Sequence, residues 1–143
     1  MLRALIVDDY RFFRETFKTR LLERFPSMVI HEAINGKEAM EKINRMPPHL
    51  IFMDICLPGL NGLQLTKKIK KDFPNIKLAM LTSYDFPEYK QAAKKDGAER
   101  FFAKDSLDWK EVEEFVQSFP KSDRLRKGSI GGGMRNGQED FYS

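Results

Sequence analysis

Three carboxylates, a hydroxyl and an ammonium stand in this chain where apolar runs stop. Asp8 and Asp9 close "LIVDD" (5–9), and Asp54 follows "LIFM" (50–53). Thr82 and Ser83 end the run that starts at Ile76, and Lys104 follows "RFFA" (100–103). An apolar run seeks burial, so carboxylates at its end sit where water is scarce. Three of them in one cleft would repel, and at least one would be driven to protonate. A divalent cation resolves that conflict. Oxygen-only donors suit magnesium, which keeps several waters and accepts one or two carboxylates plus a phosphate. Lys104 would add positive charge on the other side of Asp54. A carboxylate flanked by a metal and a lysine is well placed to receive a phosphoryl group. Thr82 could then donate a hydrogen bond to a phosphate oxygen.

Each residue also has a plainer explanation. Asp9 could cap a helix. Asp54 could start a turn with Pro58 and Gly59. Thr82 and Ser83 could cap the next helix, and Lys104 could be an ordinary surface lysine. What favours chemistry is their convergence, and that depends on the elements that carry them.

Strand-like and helix-like segments alternate. "RALIV" (3–7), "MVIHEAI" (28–34), "LIFM" (50–53), "IKLAMLT" (76–82) and "RFFA" (100–103) read as strands. Between and after them lie helical patterns. The first carries Phe13, Phe17, Leu21 and Phe25 on one face. The second opens at Asn35 and Gly36, carries Ala39, Ile43 and Met46, and ends at Pro47 and Pro48. The third is a lysine-rich stretch over 61–72. The fourth has Pro87 in its first turn, ends near Gly97 and bears a thin stripe of Tyr89, Ala92 and Ala93. The fifth is expected to be capped by Ser106, with a stripe of Val112, Phe115, Val116 and Phe119. "RFP" (24–26), "DFP" (72–74) and "SFP" (118–120) each close a helix.

Five such repeats imply an α/β fold, a mostly parallel sheet covered on both faces. Right-handed crossovers leave the flavodoxin-like order 2-1-3-4-5 as the leading topology, a doubly wound (βα)5 arrangement. Its site lies at the carboxyl ends of strands 1 and 3. In that order Asp8, Asp9, Asp54, Thr82 and Lys104 end neighbouring strands. The domain is expected to span 1–120. Residues 121–143, with five glycines and few large apolar residues, read as a flexible tail or truncated linker.

Bulk properties set the remaining bounds. The 143 residues are 41% hydrophobic and 32% charged, an ordinary soluble composition. No apolar run approaches the roughly 20 residues of a membrane span, and no signal peptide is expected ahead of Leu2. A cytoplasmic location without membrane association follows as an expectation. The single cysteine, Cys56, excludes an internal disulfide framework. A net charge of +4 invites a nucleic-acid reading. Lys67, Lys68, Lys70 and Lys71 alternate with Leu63, Thr66, Ile69 and Phe73, however, which is the solvated side of an amphipathic helix. Direct nucleic-acid binding is therefore not expected.

Taken together, "LIVDD" (5–9), "PPHLIFMDICLPGLNGLQL" (47–65), "LAMLTSY" (78–84) and "GAERFFAKDS" (97–106) resemble the receiver domain of bacterial response regulators, the CheY-like family. The wording is nearest to receivers of NarL/LuxR-type DNA-binding regulators. The resemblance covers residues 2 to about 119. It implies Asp54 as phosphoacceptor, Asp9 as a direct magnesium ligand and Asp8 as one acting largely through water. Cys56 would offer its backbone carbonyl to Mg2+, so that its small side chain is expected half-buried. Thr82 would be the switch hydroxyl, Lys104 the phosphate-pairing cation and Phe101 the switch aromatic. A sensor histidine kinase or phosphotransfer protein would donate the phosphoryl group, and a homodimer on phosphorylation is a possible consequence. The chain would catalyse its own transfer and dephosphorylation without being a turnover enzyme. Many receivers carry a cis proline after the lysine. Here Asp105 follows, and a trans bond is expected.

Rival readings fit less well. A haloacid-dehalogenase-type phosphatase needs a second acid where Cys56 stands. A flavodoxin needs a phosphate loop where this chain has an acid pair. A zinc hydrolase lacks its second histidine, since "HEAIN" ends in Asn35. The serious alternative is a phosphorylation-independent CheY-like interaction module, against which the intact polar set argues.

Overall fold

A computed structural model of the chain describes residues 1–119. The expected tail at 121–143 lies outside the described residues. The elements run β1 (Arg3–Val7), α1 (Arg11–Arg24), β2 (Val29–Ala33), α2 (Gly36–Arg45), β3 (Leu50–Met53), α3 (Gly62–Asp72), β4 (Lys77–Thr82), α4 (Pro87–Lys95), β5 (Arg100–Ala103) and α5 (Trp109–Gln117), with a short 3-10 turn at Lys104–Ser106. All strand pairings are parallel, in the order β2-β1-β3-β4-β5. The doubly wound reading therefore holds.

Alternation along the strands feeds two cores. Ile6, Phe52 and Leu81 point to the side covered by α1 and α5, with Phe17, Leu21, Val112, Phe115 and Val116. Leu5, Val7, Ile51, Met53 and Met80 point to the side covered by α2, α3 and α4, with Ala39, Ile43, Leu65 and Ile69. β3 is buried throughout, as a central parallel strand must be. Phe17 anchors the first core: its ring lies 5.0 Å from that of Phe52 and 5.1 Å from that of Trp109. Phe17→Ala would cost about 3–5 kcal/mol.

Local signals explain most helix starts. Asn35 accepts a hydrogen bond from the Glu38 amide, while Glu38 accepts one from the Ile34 amide, a reciprocal cap for α2. Asn61 caps α3 through the Gln64 amide. Phe25 and Phe73 are the C-caps that end α1 and α3, as the "FP" phrases suggested.

Four local expectations need correction. Ser106 does not cap α5. It belongs to the 3-10 turn, and Asp108 accepts the Lys110 amide instead. Met46 is not on the buried stripe of α2; it is the C-cap residue and 57% exposed, because the helix has already ended. Strand 2 is shorter than its apolar run, and Ile34 is exposed beyond it. Lys70 is not a solvated lysine. It reaches back to the Ile76 carbonyl and Glu99, each at 2.7 Å.

Candidate functional site

Sheet register builds the site. Val7 lies opposite Met53, Met53 opposite Met80, and Thr82 opposite Ala103. The next residues along β1 and β3 are Asp8 and Asp54. Their amides extend the ladder, Asp8 donating to the Ala33 carbonyl and Asp54 to the Val7 carbonyl, both at 3.0 Å. Both side chains are thus delivered by hydrogen-bonded strand ends rather than by free loops.

Asp8 and Asp54 are 2% and 8% exposed, and Thr82 is fully buried. Asp9 is exposed. Carboxylate oxygens of Asp8, Asp9 and Asp54 lie within 4.8 Å of one another. Lys104 reaches into this group, its Nζ 2.5 Å from Asp8 Oδ2 and 3.2 Å from Asp54 Oδ2. Asp8 Oδ1 accepts the Tyr10 amide at 2.9 Å, and Asp54 Oδ1 accepts the Cys56 amide at 3.2 Å.

The plainer explanations for Asp9, Thr82, Ser83 and Lys104 fail on these contacts, whereas Asp54 does open a turn through its bond from the Cys56 amide. Neither Asp9 nor Thr82 nor Ser83 caps a helix; the N-cap residues of α1 and α4 are Tyr10 and Phe86, neither with a side-chain cap. The Lys104 side chain is only 9% exposed, so it is no surface lysine. Thr82 Oγ1 accepts the Tyr84 amide at 3.1 Å. The peptide bond after Lys104 is trans, as the absence of proline requires. Phe101 stands apart from the acidic group, half-buried against the second core and opposite Met80. Cys56 departs from expectation: its side chain is exposed rather than half-buried, between the buried Ile55 and Leu57.

The electrostatics are those of a charged group short of water. Burial raises the affinity of Asp54 for a proton and the Asp8 charge adds to this, while Lys104 and the Cys56 amide only partly oppose it. Lys104 shifts upward. Burial would lower it, but the Asp8 hydrogen bond and the two carboxylate charges outweigh that. Desolvation and the Asp54 charge push the Cys56 thiol up, which leaves it neutral near pH 7. An all-oxygen donor set, crowded and under-compensated by one ammonium, fits a magnesium ion.

Three supporting residues were missed in the sequence. Arg14 donates to the Asp8 carbonyl at 2.9 Å and pairs with Glu32 at 2.7 Å, bracing the end of β1. Gly62 lies against the end of β3: a Cβ there would sit 2.1 Å from the Asp54 carbonyl oxygen. Phe13 places its ring centroid 4.4 Å from Lys104 Nζ. Only Gly62 left a signal, as the glycine that opens a helix straight after the acidic strand.

Fold and site together define a doubly wound α/β protein with a cation-suited acidic cluster at its topological switch point. The chain belongs to the response regulator receiver domain family, which it matches over residues 4–117. It is 39% identical over 83 residues to the response regulator protein VraR of Staphylococcus saprophyticus and 37% identical to that of Staphylococcus aureus. Each match spans 58% of this chain and 40% of the relative, so the chain covers well under half of those proteins. Among solved structures, TrrA of Thermotoga maritima in complex with Mg2+-BeF is 32% identical, with a TM-score of 0.72 over 82% of this chain and 97% of that one. The receiver domain of a NarL response regulator from Mycobacterium tuberculosis is 27% identical, also with a TM-score of 0.72, over 81% and 94%.

Proposed function

We propose that this receiver accepts a phosphoryl group on Asp54 from a phosphohistidine of a sensor kinase or phosphotransfer protein. A carboxylate oxygen of Asp54 attacks phosphorus, the nitrogen–phosphorus bond breaks, and the imidazole leaves with the electron pair. Asp9, Asp54 and the Cys56 carbonyl would hold Mg2+ directly and Asp8 through water. When bound, the ion neutralises charge on the transferring oxygens. Lys104, already beside Asp54, meets a phosphoryl oxygen from the opposite side. The observation that carries this reading is the buried Asp8–Lys104–Asp54 ion group beside Asp9.

The Thr82 hydroxyl, which accepts the Tyr84 amide, keeps its own proton to donate to the phosphoryl group after transfer. Phe101 follows, which reshapes the face of α4, β5 and α5. That face is weakly held: Ala93 is the sole buried residue of α4. Homodimerisation on phosphorylation belongs to the same proposal, as do a cytoplasmic setting, a receiver unit at 1–120 and a linker role for 121–143. Among the described residues no helix is long and apolar enough to cross a membrane.

The test is incubation with magnesium and acetyl phosphate, followed by intact mass measurement. Wild type should gain one phosphoryl group and Asp54→Asn none. Label on Asp54→Asn moves the acceptor elsewhere. A wild type that takes no label supports an interaction module instead.

A further inference from the structure

Lys104 has a further contact besides the two carboxylates. Its ammonium lies 4.4 Å from the centroid of the Phe13 ring. Phe13 is not an isolated ring. It stacks on Phe17 with centroids 5.5 Å apart and planes within 16° of parallel. Phe17 in turn lies 5.1 Å from Trp109, and the guanidinium of Arg24 covers Trp109 at 4.5 Å. The result is a continuous column: an ammonium at the site, three aromatic rings, and an arginine that also pairs with Glu113 of α5 at 2.7 Å. Phe17 is buried and anchored by Phe52, so the Phe13 ring behind Lys104 rests on the rigid core.

The physical consequence concerns where a long, flexible cation can go. A lysine side chain carries about 2 kcal/mol of rotamer entropy, which favours leaving a crowded site for water. Asp8 and Asp54 attract the Lys104 ammonium by charge. The Phe13 ring face adds negative quadrupole density, and this attraction strengthens when water is excluded. When a ligand cation neutralises the carboxylates, their hold on Lys104 weakens, whereas the ring's does not.

We propose that Phe13 is a positioning residue for phosphoryl transfer, its ring face holding the Lys104 ammonium beside Asp54. This rests on Asp54 being the acceptor. Phe13 touches no reacting atom; it acts through Lys104.

The experiment compares wild type, Phe13→Leu and Phe13→Tyr in the magnesium and acetyl phosphate labelling assay. Carbon–proton correlation spectra of the Lys104 ε-methylene accompany it. Leucine keeps most of the apolar volume but has no ring face, and tyrosine restores one. Phe13→Leu should label roughly threefold to thirtyfold more slowly, the range a cation–π contact spans from exposed to desolvated sites. Phe13→Tyr should recover most of the wild-type rate. The wild-type Lys104 ε-protons should be shifted upfield by the ring current, and that shift should vanish in Phe13→Leu. Equal labelling of wild type and Phe13→Leu overturns the positioning role while leaving the acceptor intact. Unshifted ε-protons in wild type overturn it without any variant needing to fold. A wild type that takes no label overturns the acceptor reading itself, and this one with it.

Discussion

Gly62→Ala should damage both the fold and the site, and the size of the effect follows from what the added methyl meets. The new Cβ would lie 2.1 Å from the Asp54 carbonyl oxygen, 2.8 Å from Ile55 Cα and 2.9 Å from the Asp54 carbonyl carbon. All three are backbone atoms, so no side chain can rotate away. Gly62 also donates its amide to the Ile55 carbonyl at 2.7 Å, which pins the start of α3 to the end of β3. Relief requires α3 to move outward by about 1 Å, and overpacking of this kind costs typically 1–3 kcal/mol. Alanine returns up to about 1 kcal/mol through better helix propensity. The steric term wins, with a net loss of about 1 kcal/mol. Against a stability of roughly 5–15 kcal/mol the domain still folds. Its urea midpoint should fall by about 0.5 M, given slopes of about 1–3 kcal/mol per M. Labelling by acetyl phosphate should fall further, since about 1 Å of misplacement can cost a factor of ~100. Gly36→Ala is the internal control: its Cβ would meet only the Leu65 side chain at 3.4 Å and the backbone and Cβ of Leu60 at 3.7 Å. It should be neutral. A Gly62→Ala midpoint equal to that of wild type would refute the reasoning.

Asp54→Asn should raise the metal-free thermal midpoint, by about 0.5–2 kcal/mol, because it removes a carboxylate whose charged form burial and Asp8 disfavour. The sign is consistent: a raised carboxyl pKa in the fold means stability lost as pH rises through it. Magnesium should stabilise wild type in calorimetry, by about 2.7 kcal/mol at 100 times its dissociation constant, and Asp54→Asn less. His49 gives the pH dependence of the opposite edge. Burial, then the Arg3 and N-terminal charges, push its imidazole down to about 4, while Nδ1 accepts the Arg3 amide at 3.0 Å. The unfolded chain binds that proton near pH 6.5, so the stabilisation is complete above 6.5 and lost as pH falls toward 4. Partial exposure screens the full shift to about 1–2 kcal/mol. His49→Asn, which keeps an acceptor, should flatten the denaturation midpoint between pH 6.5 and 5; an unchanged slope excludes His49 as the cause.

The site was legible because a parallel sheet turns sequence order into geometry. Each polar residue ended an apolar run, and parallel pairing places such ends on one edge whatever the loops do. The same logic located Thr82 next to β3 and Lys104 next to β4. Features set by competition between neighbours were not legible. "KDSLDW" offers both Ser106 and Asp108 as caps. The choice falls on Asp108 because Lys104 is drawn inward and the chain continues as a 3-10 turn through Ser106. Cys56 lies between the buried Ile55 and Leu57, yet its own side chain is exposed while its amide serves Asp54. Phe13 read as one more apolar residue on a helix face. Nothing in its spacing distinguishes a ring that packs on the core from one that also faces an ammonium.

The charge inventory of the site explains why Lys104 is paired as it is. Asp8, Asp9 and Asp54 carry three negative charges and Lys104 one positive, leaving about −2 in a largely buried cluster. Lys104 lies closer to Asp8 than to Asp54, so Asp8 is the better neutralised and Asp54 the one left under strain. A divalent ion brings the total to about zero. On the proposed reading, turning Asp54 into an acyl phosphate would replace one negative charge by about two, so the site would move to roughly −1. That added charge would sit on oxygens beyond Asp54, the carboxylate that the Lys104 ammonium already meets at 3.2 Å. On that reading Asp8 would matter less as a ligand than as the resting partner that keeps Lys104 in place until the phosphoryl group competes for it. An ammonium shared between two carboxylates can shift from one to the other with a small movement. A lysine left to solvent would have to be ordered anew at every transfer.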